Sequence, residues 1–90
     1  MRFHFDPAKR KSNLKKNGYD LADAQTVIES GSTVTFEDDR FDYDELRFVT
    51  LGLFDGDVVV IVSAETDEDV RVISMRRADR HEQEIYFENS

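Results

Sequence analysis

Cysteine is absent from the 90-residue chain. Its absence excludes a disulfide framework and a thiolate metal site. Long hydrophobic runs are missing too. The longest, residues 58–62, is five residues, against the roughly 20 needed to span a bilayer. The opening residues, Met1-Arg2-Phe3-His4-Phe5-Asp6, hold no apolar stretch of the kind a secretion signal needs. There are no internal repeats, no linker and no low-complexity segment. The expectation is a soluble, cytoplasmic protein forming one domain over residues 1–90. A chain of this size buries roughly 60–65% of its unfolded surface, which is enough for a core without covalent staples.

Positive charge is scarce overall. Twelve Lys and Arg face 20 Asp and Glu, for a formal net charge of −8 with both His neutral. Taken as an average, that excludes a uniformly basic nucleic-acid binder. The distribution is uneven, however. Residues 1–19 hold six basic residues against Asp6 alone, residues 20–70 hold 15 acidic residues against Arg40 and Arg47, and residues 71–90 hold four of each sign. The acid lies in the middle and the base clusters at both ends, so a local anion site is permitted wherever the fold brings those ends together.

The residue pattern predicts the elements in order. Phe3-His4-Phe5 alternates like a short strand. Asp6-Pro7 opens a helix, because Asp caps well and Pro suits the first helical position. Gly18 ends that helix. It has little apolar face, but Lys9, Asn13 and Lys16 fall on one side of it. Asp20 caps a second helix, whose Leu21, Ala24, Val27 and Ile28 form a core-facing stripe that Gly31 stops. Residues 32–36 read as a strand and residues 37–45 as an acidic loop. A further apolar segment, residues 46–54, leads into Asp55-Gly56, a strong signal for a tight hairpin turn. The return strand, residues 58–64, is apolar on both faces, as a central strand would be. A polar turn and a last strand, residues 70–77, precede a helix capped by Asp79, with Glu82 completing a capping box. The order is β-α-α-β-β-β-β-α. Consecutive hairpins make the sheet antiparallel, and the domain is α+β.

Several separate motifs occur at consistent spacing: Asp6-Pro7-x-Lys9, Asn13-Leu14-x-Lys16-x-Gly18, Arg47-Phe48-x-x-Leu51-Gly52, and Arg71-x-Ile73-Ser74-x-Arg76-Arg77-Ala78, followed by Glu82 and Tyr86. Together they resemble the BrnT toxins, over residues 3–87. The resemblance implies a RelE-like fold and a ribonuclease toxin of a type II toxin–antitoxin module. It implies neutralisation by a BrnA-type antitoxin, a ribbon-helix-helix DNA-binding protein. It also implies that the pair represses its own operon, with DNA contacted only through the complex. The chain departs from many relatives at two places. Lys16-Asn17-Gly18 stands where they read Lys-His-Gly, and Ser63-Ala64-Glu65 where they read His-Thr-Glu or Tyr-Thr-Glu. Both departures replace groups able to take part in proton transfer. A second reading therefore stays open, a catalytically impaired toxin-like module that binds the antitoxin and takes part in operon control.

RNA can be cut without metal or cofactor when its own 2′-hydroxyl attacks the adjacent phosphate. The protein then supplies cations around the phosphorane and a proton acceptor. Arg71, Arg76 and Arg77 suit the first role, since guanidinium binds phosphate oxygens in a fork. Strict alternation puts Arg71 and Arg77 on one face and Arg76 on the other, unless the strand ends or bulges before Arg76. Glu65 is the candidate base, or else the cross-strand partner of Arg71. Lys9, Lys15 and Lys16 can track an RNA backbone, or form a solvated helix face. Arg47 is either an RNA contact or an ion-pair partner of the acidic loop. His4 reads as an outward residue of an edge strand, and His81 as a surface residue or else a proton donor. Two separated His and no Cys do not make a zinc site, and the acidic loop lacks the calcium-loop pattern.

Overall fold

The computed structural model describes residues 1–38 and 45–90. Most of the expected acidic loop, residues 39–44, lies outside the described residues. The elements are β1 (Arg2–His4), α1 (Pro7–Asn17), a 3-10 turn (Leu21–Asp23), α2 (Ala24–Glu29), β2 (Val34–Glu37), β3 (Leu46–Phe54), β4 (Asp57–Glu65), β5 (Asp69–Arg77) and α3 (Arg80–Asn89).

The caps form as their residue types dictate. The Asp6 carboxylate accepts from the Ala8 N–H at 2.8 Å, and Gly18, in the left-handed region at φ 79°, donates its N–H to Leu14. At the other end of the chain Asp79 and Glu82 close a reciprocal capping box at the start of α3. The Asp55-Gly56 turn has positive φ at both residues, 51° and 84°, as a type I′ hairpin turn requires. The second expected helix is split. The Asp20 carboxylate accepts from Ala22, tightening the first turn to 3-10 before α2 begins.

The strand order is β1-β5-β4-β3-β2, with β4 at the centre. The β2–β3, β3–β4 and β4–β5 pairs are antiparallel, and only β1 joins in parallel, with His4 opposite Arg71. A parallel neighbour cannot come from a tight hairpin. β1 reaches β5 from the far end of the chain, so hairpin reasoning misses the parallel pair.

β4 sends its buried side chains to both faces. Val59 and Ile61 pack with Leu21, Ala24, Val27, Val72 and Met75. Val58 and Val60 pack with Leu51, Ala78 and Tyr86. The first cluster lies under the 3-10 turn and α2, the second under α3. A Cβ at Gly52 would lie 2.5 Å from Val27 Cγ1, so glycine is what lets α2 approach β3 closely.

α1 is held by a different means. β1 stops at His4, and beyond Arg71 the outer edge of β5 has no neighbouring strand among the described residues. The Asn13 side chain, 6% exposed, stands there instead. Its amide donates to the Met75 carbonyl at 2.9 Å and accepts the Met75 N–H at 3.2 Å, as a strand neighbour would. The same amide donates to the Tyr19 carbonyl at 2.8 Å, and Asn17 donates to its oxygen at 2.9 Å. Leaving buried backbone groups unpaired costs about 1–3 kcal/mol each. Asn13→Ala is therefore expected to lower unfolding free energy by about 2–4 kcal/mol, measured by urea denaturation. A loss below about 0.5 kcal/mol, the scale of an ordinary surface substitution, would show that α1 is held by other contacts.

Candidate functional site

The β5 ladder contains a bulge. Val62 pairs with Ser74 while Ser63 pairs with Val72, leaving Ile73 as an extra residue. The offset changes which side chains share a face. Arg71 opposes Ala64 and Arg76 opposes Val60, two positions on the same side of β4, whereas Arg77 opposes Val59 on the other side. Strict alternation would have paired Arg71 with Arg77. The bulge pairs it with Arg76 and puts Ser74 between them. Arg47, opposite Ala64 from β3, belongs to the same face.

α1 borders that face. An open groove of about 270 Å³ runs between α1 and β5, with Lys9, Ser12, Lys16 and Asn17 on one bank, Ile73 and Ser74 on the other and Asn13 between them. Lys9 and Lys16 are exposed. Among the described residues neither they nor Lys15 join an ion pair. Lys15 is exposed but does not line the groove.

Each arginine has its own surroundings. Arg71 and Arg47 share the carboxylate of Glu45. Arg71 hydrogen-bonds it, and Arg47 Nη2 lies 3.8 Å from it. Arg76 forks onto Glu82 at 2.8 and 2.7 Å, and Glu82 also accepts the Asp79 N–H at 2.9 Å. The hydrogen bond from Arg76 holds the Glu82 carboxyl below the usual carboxylate range and raises the guanidinium's own pKa. Arg77 Nη2 lies 3.8 Å from Asp57 with a side chain 69% exposed. There Asp57 also accepts from the Tyr19 hydroxyl, whose pKa is raised first by burial and then by that carboxylate.

Four expected residues therefore lie along one surface, Lys9 and Lys16 from α1 with Arg71 and Arg76 from β5, and Arg47 lies two strands in from Arg71. Arg77 points to the other side of the sheet. Glu65 does as well, since it opposes Val70 rather than Arg71, so the anticipated Glu65–Arg71 pair does not form. Its place is taken by Glu45, 26 residues away in sequence. Strand alternation could not find that contact, because β3 and β5 are not neighbours. Of the two departures noted in the sequence, Asn17 lines the groove. Ser63 is 1% exposed on the α2 side of the sheet, opposite Val72, so a histidine substituted there would not reach the groove. Among the described residues no three His, Asp or Glu side chains gather in a way that could hold a metal ion.

A family model described as ribonuclease toxin, BrnT, of type II toxin-antitoxin system matches residues 5–82. No curated protein matches the chain. The matched span contains α1, the whole sheet beyond β1, and the Arg71–Arg77 stretch.

The Arg76–Glu82 pair makes a pH prediction. A carboxyl whose folded pKa is depressed contributes stability above its unfolded value, about 4.3 for Glu. That contribution is lost as pH falls through the lower folded value. Glu82→Gln should therefore be less stable than the parent at neutral pH, with the gap closing in acid. Urea midpoints measured at a series of pH values test this, and a gap independent of pH would contradict it.

Proposed function

The chain belongs to the BrnT family of ribonuclease toxins of type II toxin–antitoxin systems, and on that premise we propose that the groove between α1 and β5 binds RNA and that cleavage proceeds there without metal. In this reading the RNA 2′-hydroxyl attacks the adjacent phosphorus, and Arg71 and Arg76 stabilise the charge that develops on the phosphorane. Lys9 and Lys16 hold the flanking phosphates. Arg47 acts through Glu45, which it and Arg71 share, setting the direction of the Arg71 fork. The fold is of the RelE-like kind. The partner is a BrnA-type ribbon-helix-helix antitoxin that covers the groove in the cytoplasm, and the complex represses its own operon.

One observation carries this reading. In a chain of net charge −8, Lys9 and Lys16 line one bank of a groove whose other bank includes Ser74, and Ser74 shares its face of β5 with Arg71 and Arg76, some 60 residues away in sequence. Acidic residues dominate elsewhere, which disfavours RNA contact over the rest of the surface. The alternative, a binding module with impaired catalysis, is favoured by Asn17. It lines the groove where many relatives carry His, and its amide is bonded to Asn13.

One measurement separates these readings and a second tests where RNA binds. Induced expression without antitoxin should arrest growth. A soluble, folded protein that causes no arrest would favour the binding module. For a single-stranded RNA oligonucleotide, Lys9→Ala with Lys16→Ala should flatten the slope of log affinity against log salt by about 1.4, from roughly 0.7 per phosphate contact. An unchanged slope would place RNA elsewhere.

A further inference from the structure

His4 lies at the end of β1, two residues along β5 from Ile73, where the groove lining begins. It is the last residue of β1 and the register partner of Arg71 in the parallel pair. Register partners lie about 4.8 Å apart and project to the same side of the sheet. The side is confirmed one and two steps back along β1. Phe3, opposite Val70, packs into the core cluster on the α2 side of the sheet, whereas Arg2, opposite Asp69, bonds that carboxylate at 3.0 Å. His4 therefore shares its face with Arg71, Ala64 and Arg47, one row across β1, β5, β4 and β3. Beyond His4 the chain turns into α1, whose Lys9 is the first basic residue lining the groove. The imidazole is exposed and, among the described residues, makes no side-chain hydrogen bond or ion pair.

The candidate carboxylates are placed differently. Glu65 faces the other side of the sheet, Glu45 is bonded to Arg71, and Asp69 is bonded to Arg2. Among the described residues, His4 is a proton acceptor beside Arg71 that makes no side-chain hydrogen bond or ion pair. Among the described residues, the charged groups next to it in the sheet are Arg71 and Asp69 from β5 and Arg2 from its own strand, with Glu45 bonded to Arg71 and Lys9 following on α1.

We propose that His4 is the catalytic base of this site, a role resting on the ribonuclease reading above. Its unprotonated ring nitrogen accepts the 2′-hydroxyl proton as O2′ bonds to phosphorus. The P–O5′ bond breaks with its electron pair going to O5′, and water protonates that oxygen. The products are a 2′,3′-cyclic phosphate and a 5′-hydroxyl, and His4 then releases its proton to solvent. Imidazole suits the task because histidine is the side chain that most often serves as a general base.

The test is single-turnover cleavage of a single-stranded RNA oligonucleotide by the purified full chain between about pH 5 and pH 9, a range bracketing imidazole titration. His4→Ala and His4→Gln should each slow cleavage by about 10²–10⁴-fold, while affinity for a 2′-deoxy-substituted oligonucleotide changes less than about threefold, under 1 kcal/mol. The parent rate should rise with pH across the neutral range and level off. The variants should lose that rise, and added imidazole should restore part of the His4→Ala rate. His81→Ala, in the exposed first turn of α3, should cleave like the parent. Circular dichroism melts of the variants should match the parent. If the parent cleaves and both His4 variants cleave within threefold of it, the role of His4 is overturned while the ribonuclease reading stands. If the parent cleaves no RNA, the ribonuclease reading itself falls and the role of His4 with it.

Discussion

The pairing of one side-chain amide with one backbone position organises this molecule. Asn13 bonds both the N–H and the carbonyl of Met75, standing where β5 has lost its strand neighbour. α1 has almost no apolar surface of its own. Leu14 is 50% exposed, and Asn13 is the only buried residue of the helix. Hydrophobic burial is therefore not what docks it. A buried amide with all its bonds made is worth little net, but it is costly to break, and it specifies one register. That register puts Lys9 and Lys16 against Ile73 and Ser74. If β1 ran further along β5, it would fill the edge and there would be no groove.

The second constraint is the one-residue bulge in β5. Without it Arg76 would project to the face that carries α2, away from Arg71. With it, Arg71, Ser74 and Arg76 follow one another along the same face. Arg71 and Arg76 lie about 13 Å apart along the strand, from four partner residues of β4 at about 3.3 Å each, a span of two to three nucleotides. Their environments differ in kind. Arg76 is locked into the capping box of α3 through Glu82, which ties the end of the groove to the helix on that face. Arg71 is held by Glu45, a carboxylate just ahead of β3 that Arg47 shares. A charged ligand entering the groove therefore meets oriented cations, and net charge is a poor guide to what such a surface binds.

Local chemistry made much of the fold legible in the sequence. Asp6, Asp20 and Asp79 sit at the three caps, Asp55-Gly56 makes the hairpin turn, and the apolar run of β4 marks the central strand. Each depends on a few adjacent residues. The rest depends on partners far apart in the chain. The parallel β1–β5 pair joins residues 67 apart. The bulge has no compositional mark, since Ile73 is an ordinary strand residue. The Glu45–Arg71 contact spans β4, so no cross-strand rule reaches it. His4 reads as a plain edge residue until its parallel register puts it beside Arg71. The basic residues of the site were visible individually, but their meeting on one surface follows from Asn13 and the bulge.

The central claim is that single-stranded RNA lies along the groove between α1 and β5. The most direct measurement is an NMR titration of the 15N-labelled protein with a 2′-deoxy-substituted RNA oligonucleotide that cannot be cleaved. The account predicts that the largest shifts fall on residues 9–17 and 71–76, and weaken as salt is raised. Shifts confined to the outer surface of α3 or to β2, with residues 9–17 and 71–76 unmoved, would contradict it.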